Sequence, residues 1–232
     1  MKKVSVIVPC YNYAKYLEEC LYSLSIQTYP LHEVIVVNDG SPDDTDEVVM
    51  KLMAEYDKLN IRLIKKENGG LSSARNAGIK VCTGDYIMCL DADDKLVPGA
   101  IEEHVKLVDD DNTIAQCALM EFGNSHNIHI PQGADYDRLL YGNTVFCNAM
   151  FSRRVWEQSR CGFDEHPTMR LGLEDYLFWL DLTKIGCKVN TSDFIALRYR
   201  QHDNNMTSKT THPNWPIILT YMRSIHEGLK AK

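Results

Sequence analysis

The stretch GDYIMCLDADDKL, residues Gly84 to Leu96, decides how this chain is read. Its apolar run from Tyr86 to Leu90 is short and firmly bounded, the pattern of a buried strand. That strand delivers Asp91, Asp93 and Asp94 just past its C-terminal end, where open α/β sheets bind ligands. Hard oxygen donors on a short loop suit Mg²⁺ or Mn²⁺, ions that commonly bridge protein carboxylates to substrate phosphates. The run Asp109 to Asp111 shows why the strand matters: acids again, but after a helix, with nothing to carry them to a sheet edge.

Upstream, strand and helix patterns alternate with short links. Val4 to Val8 is β-branched and continuous, as in a central parallel strand covered on both faces. Ala14 to Gln27 follows with helical spacing, placing Tyr16, Leu17, Cys20, Leu21 and Leu24 on one face. Val34 to Val37 is a second buried strand. It ends in NDGSPDDT, where Ser41 or Asp43 can cap a helix whose apolar face is Val48, Val49, Leu52, Met53 and Tyr56. Ile61 to Ile64 reads as a third strand, and ENGG turns the chain into a helix from Ser72 to Val81. Repeated βα units predict an α/β fold with a Rossmann-like, doubly wound, mostly parallel sheet and helices on both faces.

Beyond Asp111 the regularity fades. Ile114 to Phe122 reads as a strand, Gly123 to Gly142 is polar and irregular, NTVFCNAMF is strand or loop, and Glu174 to Ile185 is a helix. No linker, repeat or low-complexity tract interrupts the chain. The expectation is one domain over residues 1–232: a nucleotide-binding half, 1–98, and an irregular acceptor-binding half, 99–232, with a C-terminal helix.

The 232 residues suffice for a substantial core, and 44% hydrophobic with 25% charged residues is ordinary for a soluble globular chain. A net charge of −7 argues against nucleic acid, which needs a basic footprint, but not against a single nucleotide. Eight scattered cysteines without a C-x-x-C pair suggest reduced thiols and a cytoplasmic setting. MKKVSVIVP enters a strand rather than a signal-peptide core, and no segment approaches the roughly 20 apolar residues that span a bilayer. The terminal WPIILTYMRSIHEGLKAK is amphipathic, with Trp215, Ile218, Leu219, Met222, Ile225 and Leu229 at helical spacing and Arg223, Lys230 and Lys232 adding charge. It suits packing on its own domain, a second subunit as in a homodimer, or peripheral contact with an anionic membrane surface.

Each strand of the first half ends in residues able to hold a ligand. Tyr11 offers an aromatic face for a nucleobase, or else packs on the first helix. Asp39 can accept the imino N–H of uracil, or else cap the next helix. Asn68-Gly69-Gly70 permits close backbone approach, and Arg75 supplies a bidentate cation for a phosphate or base carbonyl.

Four stretches, VSVIVPCYN, VIVVNDGSPDDT, NGGLSSARNAGI and GDYIMCLDADD, together resemble the family 2 glycosyltransferases, which have the GT-A nucleotide-sugar fold. The resemblance covers nearly all of residues 3–98 and continues more sparsely in GFDE, GLEDYLFWLDL and RYRQHDNNMTS. It implies base recognition by Pro9, Tyr11 and Asp39, an arginine at the nucleotide in Arg75, and a ribose or water-bridged metal contact at Asp91. It implies Mn²⁺ or Mg²⁺ on Asp93, with Asp91 and His202 as further metal or diphosphate contacts, and leaves Asp94 structural. Asp175 matches the catalytic base, and Glu174 beside it is assigned to acceptor positioning; helix capping is the plain alternative for the pair.

The activity implied is an inverting, metal-dependent hexosyl transfer from a nucleotide-diphosphate sugar, expected to be UDP-linked. The acceptor is a hydroxyl of a saccharide or lipid-linked saccharide, in glycan, polysaccharide or glycolipid biosynthesis. No Q-x-x-R-W motif is present, so one sugar per encounter is expected rather than processive synthesis. The rival readings are a noncatalytic nucleotide-sugar or glycan-binding module and a sugar nucleotidyltransferase; the latter lacks support because no glycine-rich loop follows the first strand. Neither the sugar nor the acceptor can be read from the residues.

Overall fold

A computed structural model describes residues 1–231, so Lys232 lies outside the described residues. The first half builds β1 (Val4–Cys10), α1 (Ala14–Ser25), β2 (Glu33–Asn38), α2 (Thr45–Glu55), β3 (Ile61–Lys65), α3 (Leu71–Val81) and β4 (Tyr86–Cys89). Then come β5 (Lys95–Leu96), α4 (Ala100–Leu107), β6 (Thr113–Gly123), β7 (Ile128–His129), α5 (Tyr136–Leu139), β8 (Phe151–Ser152) and α6 (Arg153–Gln158). After a 3₁₀ turn at Pro167–Leu171 follow α7 (Glu174–Lys184), β9 (Lys188–Gln201), a π-helical turn at Thr207–Thr211 and α8 (His212–Ile225).

The main sheet has the order β3-β2-β1-β4-β8, with parallel pairing from β3 to β4 and an antiparallel β8 at the edge. Every residue of β1 and β2 is buried, because the sheet is covered on both faces. Strand alternation divides the core accordingly. Val4, Val6 and Val8 join α1 and α2 residues such as Leu17 and Val49 on one side. Ile7, Ile35 and Val37 join Ile79, Phe178 and Met222 on the other. Glu33, buried at the head of β2, accepts hydrogen bonds from Ser5 Oγ, Thr83 N–H and Oγ1, and Arg62. Burial opposes its charge, but these donors outweigh it and hold the carboxyl at about 2.

The periodicity does not announce a second, mixed sheet of order β5-β9-β6-β7. Its long strand β9 lay hidden because its burial is mostly intermediate, leaving no clean apolar run. The two sheets meet where Ala115 of β6 and Met150 exchange backbone hydrogen bonds of 2.8 Å. Helix α7 is buried nearly all round, the expected state of a helix apolar on every side. The apolar face of α8 has its partner in this same chain: Trp215, Ile218, Leu219, Met222 and Ile225 pack into the core around α7. Arg223 is exposed and donates to the carbonyls of Leu229 and Ala231. No described helix is long and apolar enough to cross a membrane. The eight cysteines are free thiols.

Candidate active site

The C-terminal ends of β1, β2 and β4 and the loop after β3 open onto a cavity of about 640 Å³. Pro9, Tyr11, Asp39, Arg75, Asp91 and Asp93 line it from the first half of the chain, Glu174 and Asp175 from the second. His202 is set back behind Asp93, with Nε2 at 3.0 Å from Asp93 Oδ2. Residues up to 193 positions apart thus converge on one edge of the sheet.

Tyr11 is 50% exposed at the cavity mouth, not packed beneath α1. Asp39 is not a free acceptor. Its Oδ1 accepts from Lys66 Nζ (2.7 Å) and Gly69 N–H (3.0 Å), and its Oδ2 from Gly70 N–H (2.8 Å). The carboxylate therefore organises the Gly-Gly turn, and a ligand must share or displace these donors. Gly70 takes φ +87°, a backbone state glycine adopts without strain, and the Arg170 side chain lies directly over it. Asp39 does not cap α2: the N-cap position is Asp44, without a side-chain cap bond. Of the expected caps it is Asp43 whose Oδ1 accepts from Thr45 N–H (3.3 Å) and Oγ1 (2.5 Å) at the first residue of the helix.

The acidic loop is braced by β9. Asp94, 1% exposed, accepts the Arg200 N–H at 2.7 Å, and Arg200 Nε donates to the Asp93 carbonyl at 2.7 Å. The Arg200 guanidinium lies over the rings of Tyr16 and Phe122, 4.7 and 4.4 Å from their centroids. Burial, then the neighbouring carboxylates, push Asp94 well above the usual carboxylate range. Burial and the Asp91 charge raise Asp93 as well, with the His202 hydrogen bond opposing them.

Arg75 does not stand free to meet a phosphate. Its buried guanidinium donates from NH1 to Glu174 Oε1 (2.5 Å) and from NH2 to Asp91 Oδ1 (2.9 Å), and it lies 5.2 Å from the Phe163 ring centroid. It ties the acidic loop to the start of α7. Asp91 is turned to Arg75, and the expected ligand trio Asp91, Asp93 and His202 is not gathered around one point. Among the described residues no group of three or more His, Cys, Asp or Glu could hold an ion alone. What is assembled is the pair Asp93 and His202, with Asp91 beside it on the cavity wall.

Asp175 is partly open to the cavity. Desolvation, then the charge of Glu174, push its carboxyl up to about 7, with Arg75 opposing. Oδ1 accepts the Tyr176 N–H at 2.7 Å, and Oδ2 has no hydrogen-bond partner among the described residues. Leu173 precedes the pair in a left-handed conformation, φ +62°, which aims the start of α7 at the cavity.

Several lining residues carried no sequence signal. Arg170 sits in a 3₁₀ turn without a motif, whereas Tyr199, Met206 and Thr207 belong to the stretch RYRQHDNNMTS and arrive on the unpredicted β9 and its following turn. Glu121 and His129 face the cavity from β6 and β7. Cys10, Asn68, Gly70, Leu71, Ala74, Ala92 and Leu173 lay within stretches already singled out.

Comparison with known proteins gives the family and the fold. Residues 5–160 match the model of glycosyl transferase family 2. The chain is 31% identical over 222 residues to an uncharacterized glycosyltransferase, EpsJ, of Bacillus subtilis (strain 168), a match covering 88% of this chain and 62% of that protein. It is 31% identical over 217 residues to the hyaluronan synthase of Pasteurella multocida, covering 89% of this chain and 21% of the synthase. S. aureus TarS 1–349 in complex with UDP-GlcNAc superposes with a TM-score of 0.76 at 21% identity, over 94% of this chain and 66% of that one. The mannosyltransferase PcManGT from Pyrobaculum calidifontis, in complex with GDP-Man and Mn²⁺, superposes with a TM-score of 0.69 at 20% identity, over 96% of this chain and 69% of that one. The fold is the mixed α/β GT-A fold of those structures. The chain belongs to glycosyl transferase family 2.

Proposed function

We propose that this chain transfers a single hexose, with inversion, from a nucleoside-diphosphate sugar to a hydroxyl of a saccharide acceptor in polysaccharide biosynthesis. The observation that carries the reading is one cavity shared by the Tyr11–Asp39 wall, the Asp91–Asp93 loop and Asp175. The relatives named as hyaluronan and chondroitin synthases support a polysaccharide acceptor, and the TarS complexes support a UDP-linked donor. Tyr11 offers its ring to the base, and Asp39, through the turn it builds, shapes the pocket that receives it.

A divalent cation fits this chain. Asp94 Oδ2 is buried without a partner, and Asp91, Asp93 and Asp94 crowd negative charge onto one loop. Asp93 and His202 would hold the ion, an oxygen and a nitrogen donor suited to Mn²⁺. Such ions usually take further ligands from substrate phosphates. When bound, the ion supplies charge neutralisation for the departing nucleoside diphosphate. Arg75 positions the reacting acids by fixing Glu174 and Asp91. Asp175 removes the acceptor proton through Oδ2, and a carboxyl near 7 is matched to that task at neutral pH. Direct attack by the freed oxygen then inverts the anomeric carbon.

A screen of UDP-, GDP- and dTDP-sugars with Mn²⁺ tests the reading. A donor at 100 times its dissociation constant contributes about 2.7 kcal/mol, roughly 5–10 °C in Tm for a chain of this size. The matching donor should also release its nucleoside diphosphate on turnover. Release of pyrophosphate instead would identify a nucleotidyltransferase, and stabilisation without release at any acceptor would identify a binding module.

A further inference from the structure

The second-half wall of the cavity is largely apolar where Leu119, Val145 and Phe146 line it, and Glu121 with His129 forms a polar pair there. The proposed reaction leaves this pair without a role. Glu121 is 9% exposed, and both its oxygens are already filled. Oε2 accepts from Ser125 Oγ (2.6 Å) and Asn127 Nδ2 (2.8 Å), Oε1 from His129 Nε2 (3.0 Å) and Gln201 Nε2 (3.3 Å). Burial alone would raise its carboxyl, but the bonds from Ser125, Asn127 and His129 hold it below its ordinary value. Glu121 is thus an anchor, not a substrate ligand.

The turn it anchors is rigidly built. Gly123 has φ +94° and lies so close to the Gln201 carbonyl that a Cβ would collide with it. Glu121 N–H donates to the Asn127 carbonyl at 2.8 Å, and Asn124 N–H to that of Gln201 at 2.9 Å. Ile128 and Ile130 are 52% and 51% exposed, and His129 between them reaches the cavity rim. A carboxylate only accepts, so His129 Nε2 carries a proton, and in the neutral imidazole Nδ1 keeps its lone pair. Nδ1 has no hydrogen-bond partner among the described residues, and the side chain is 46% exposed.

We propose that His129, fixed by Glu121, forms an acceptor subsite in which Nδ1 accepts a hydrogen bond from a hydroxyl of the incoming saccharide. The inference rests on the transferase reading above and names a residue of its acceptor side. A neutral hydroxyl suits the site better than an anion, because the anchor behind the imidazole is a carboxylate and the whole chain is acidic.

The test measures nucleoside diphosphate release from the donor identified by the screen, with a panel of p-nitrophenyl glycosides of neutral hexoses as acceptors. His129 is half-exposed at the cavity rim and fills no core volume, so its variants should fold. His129→Leu removes the lone pair and should raise the acceptor KM about tenfold, the scale of one lost hydrogen bond, without a matching change in donor KM. His129→Asn places an amide oxygen near the Nδ1 position and should recover most of that loss. An acceptor KM unchanged in the leucine variant overturns the subsite. So does a wild-type enzyme that slowly hydrolyses its donor yet is accelerated by no glycoside of the panel. A wild-type enzyme that releases no nucleoside diphosphate from any donor instead overturns the transferase reading itself.

Discussion

At the scale of single residues, Asp175 decides whether the chemistry is rightly assigned. Asp175→Asn should bind donor as the native chain does, yet transfer about 10²–10⁴ more slowly, the usual contribution of a positioned base. Native transfer by the variant would move the base elsewhere. The rate of the unmodified enzyme should rise with pH through about 7, as the carboxyl ionises. Glu174→Gln removes a charge that raises Asp175, so this acid limb should shift to lower pH. The stability sign follows from the same shift: a carboxyl raised on folding contributes stability at low pH that is lost as pH rises through about 7. The asparagine variant should therefore gain Tm relative to the native chain between pH 5 and pH 8, as calorimetry at the two values would show. Asp39 carries the opposite lesson. Read as a lone base acceptor, it could be removed without structural cost; bonded to Lys66, Gly69 and Gly70, it cannot. Asp39→Ala should weaken nucleotide binding and lower the denaturant midpoint by an amount equivalent to about 1–3 kcal/mol. Loss of binding at unchanged stability would return Asp39 to the simpler role.

At the scale of elements, α3 shows how a helix is seated to carry Arg75. A Cβ at Gly78 would lie 2.5 Å from Ile7 Cγ2 and 3.1 Å from Val37 Cγ2, so the helix lies directly on β1 and β2. Alanine has the better helix propensity by about 1 kcal/mol. Overpacking against two buried branched side chains costs about 1–3 kcal/mol and should prevail. Gly78→Ala should therefore lower the urea midpoint and, by lifting α3, loosen the Arg75 link between Asp91 and Glu174. A stabilised variant would show that α3 can move away freely. Helix α7 is the other seat of the site. Phe178 packs at a tilt 4.3 Å from Phe163 and edge-to-face 5.1 Å from Phe151, centroid to centroid, which fixes the helix whose first turn holds Glu174 and Asp175.

At the scale of the whole molecule, two outcomes follow from how the halves are joined. Asp93 stands on the first half and His202 after β9 on the second, so an ion held by both would also tie the halves together. Turnover should vanish in EDTA and return with Mn²⁺, and Asp93→Ala should lose at least about a hundredfold. Titration calorimetry of Mn²⁺ in the presence of UDP reads the same loss directly; full activity of the alanine variant in EDTA would remove the metal from the scheme. The second outcome concerns α8. Its apolar face is spent on the core, and the chain carries a net charge of −7. The intact chain should remain in the supernatant when sedimented with anionic phospholipid vesicles, whereas co-sedimentation would require another surface.

Local patterns along the chain suffice for the parallel sheet, the loops at its ligand edge and the identity of the acids there. Continuous β-branched runs and helical spacing are local signals, and a parallel strand always delivers its end to the same edge. The site was legible as far as its residues lie at strand ends or at the start of α7. What those side chains do with their hydrogen bonds emerges from packing between distant segments. That packing turned Arg75 into a brace between Asp91 and Glu174, filled Asp39 with backbone donors, and set His202 on Asp93 across 109 residues of chain. It also formed the second sheet, whose half-buried strand β9 has no strong periodicity, and brought Arg170, Glu121 and His129 to the cavity. Such pairings depend on which distant surfaces are pressed together, and that is settled by burial across the whole fold rather than by any local pattern.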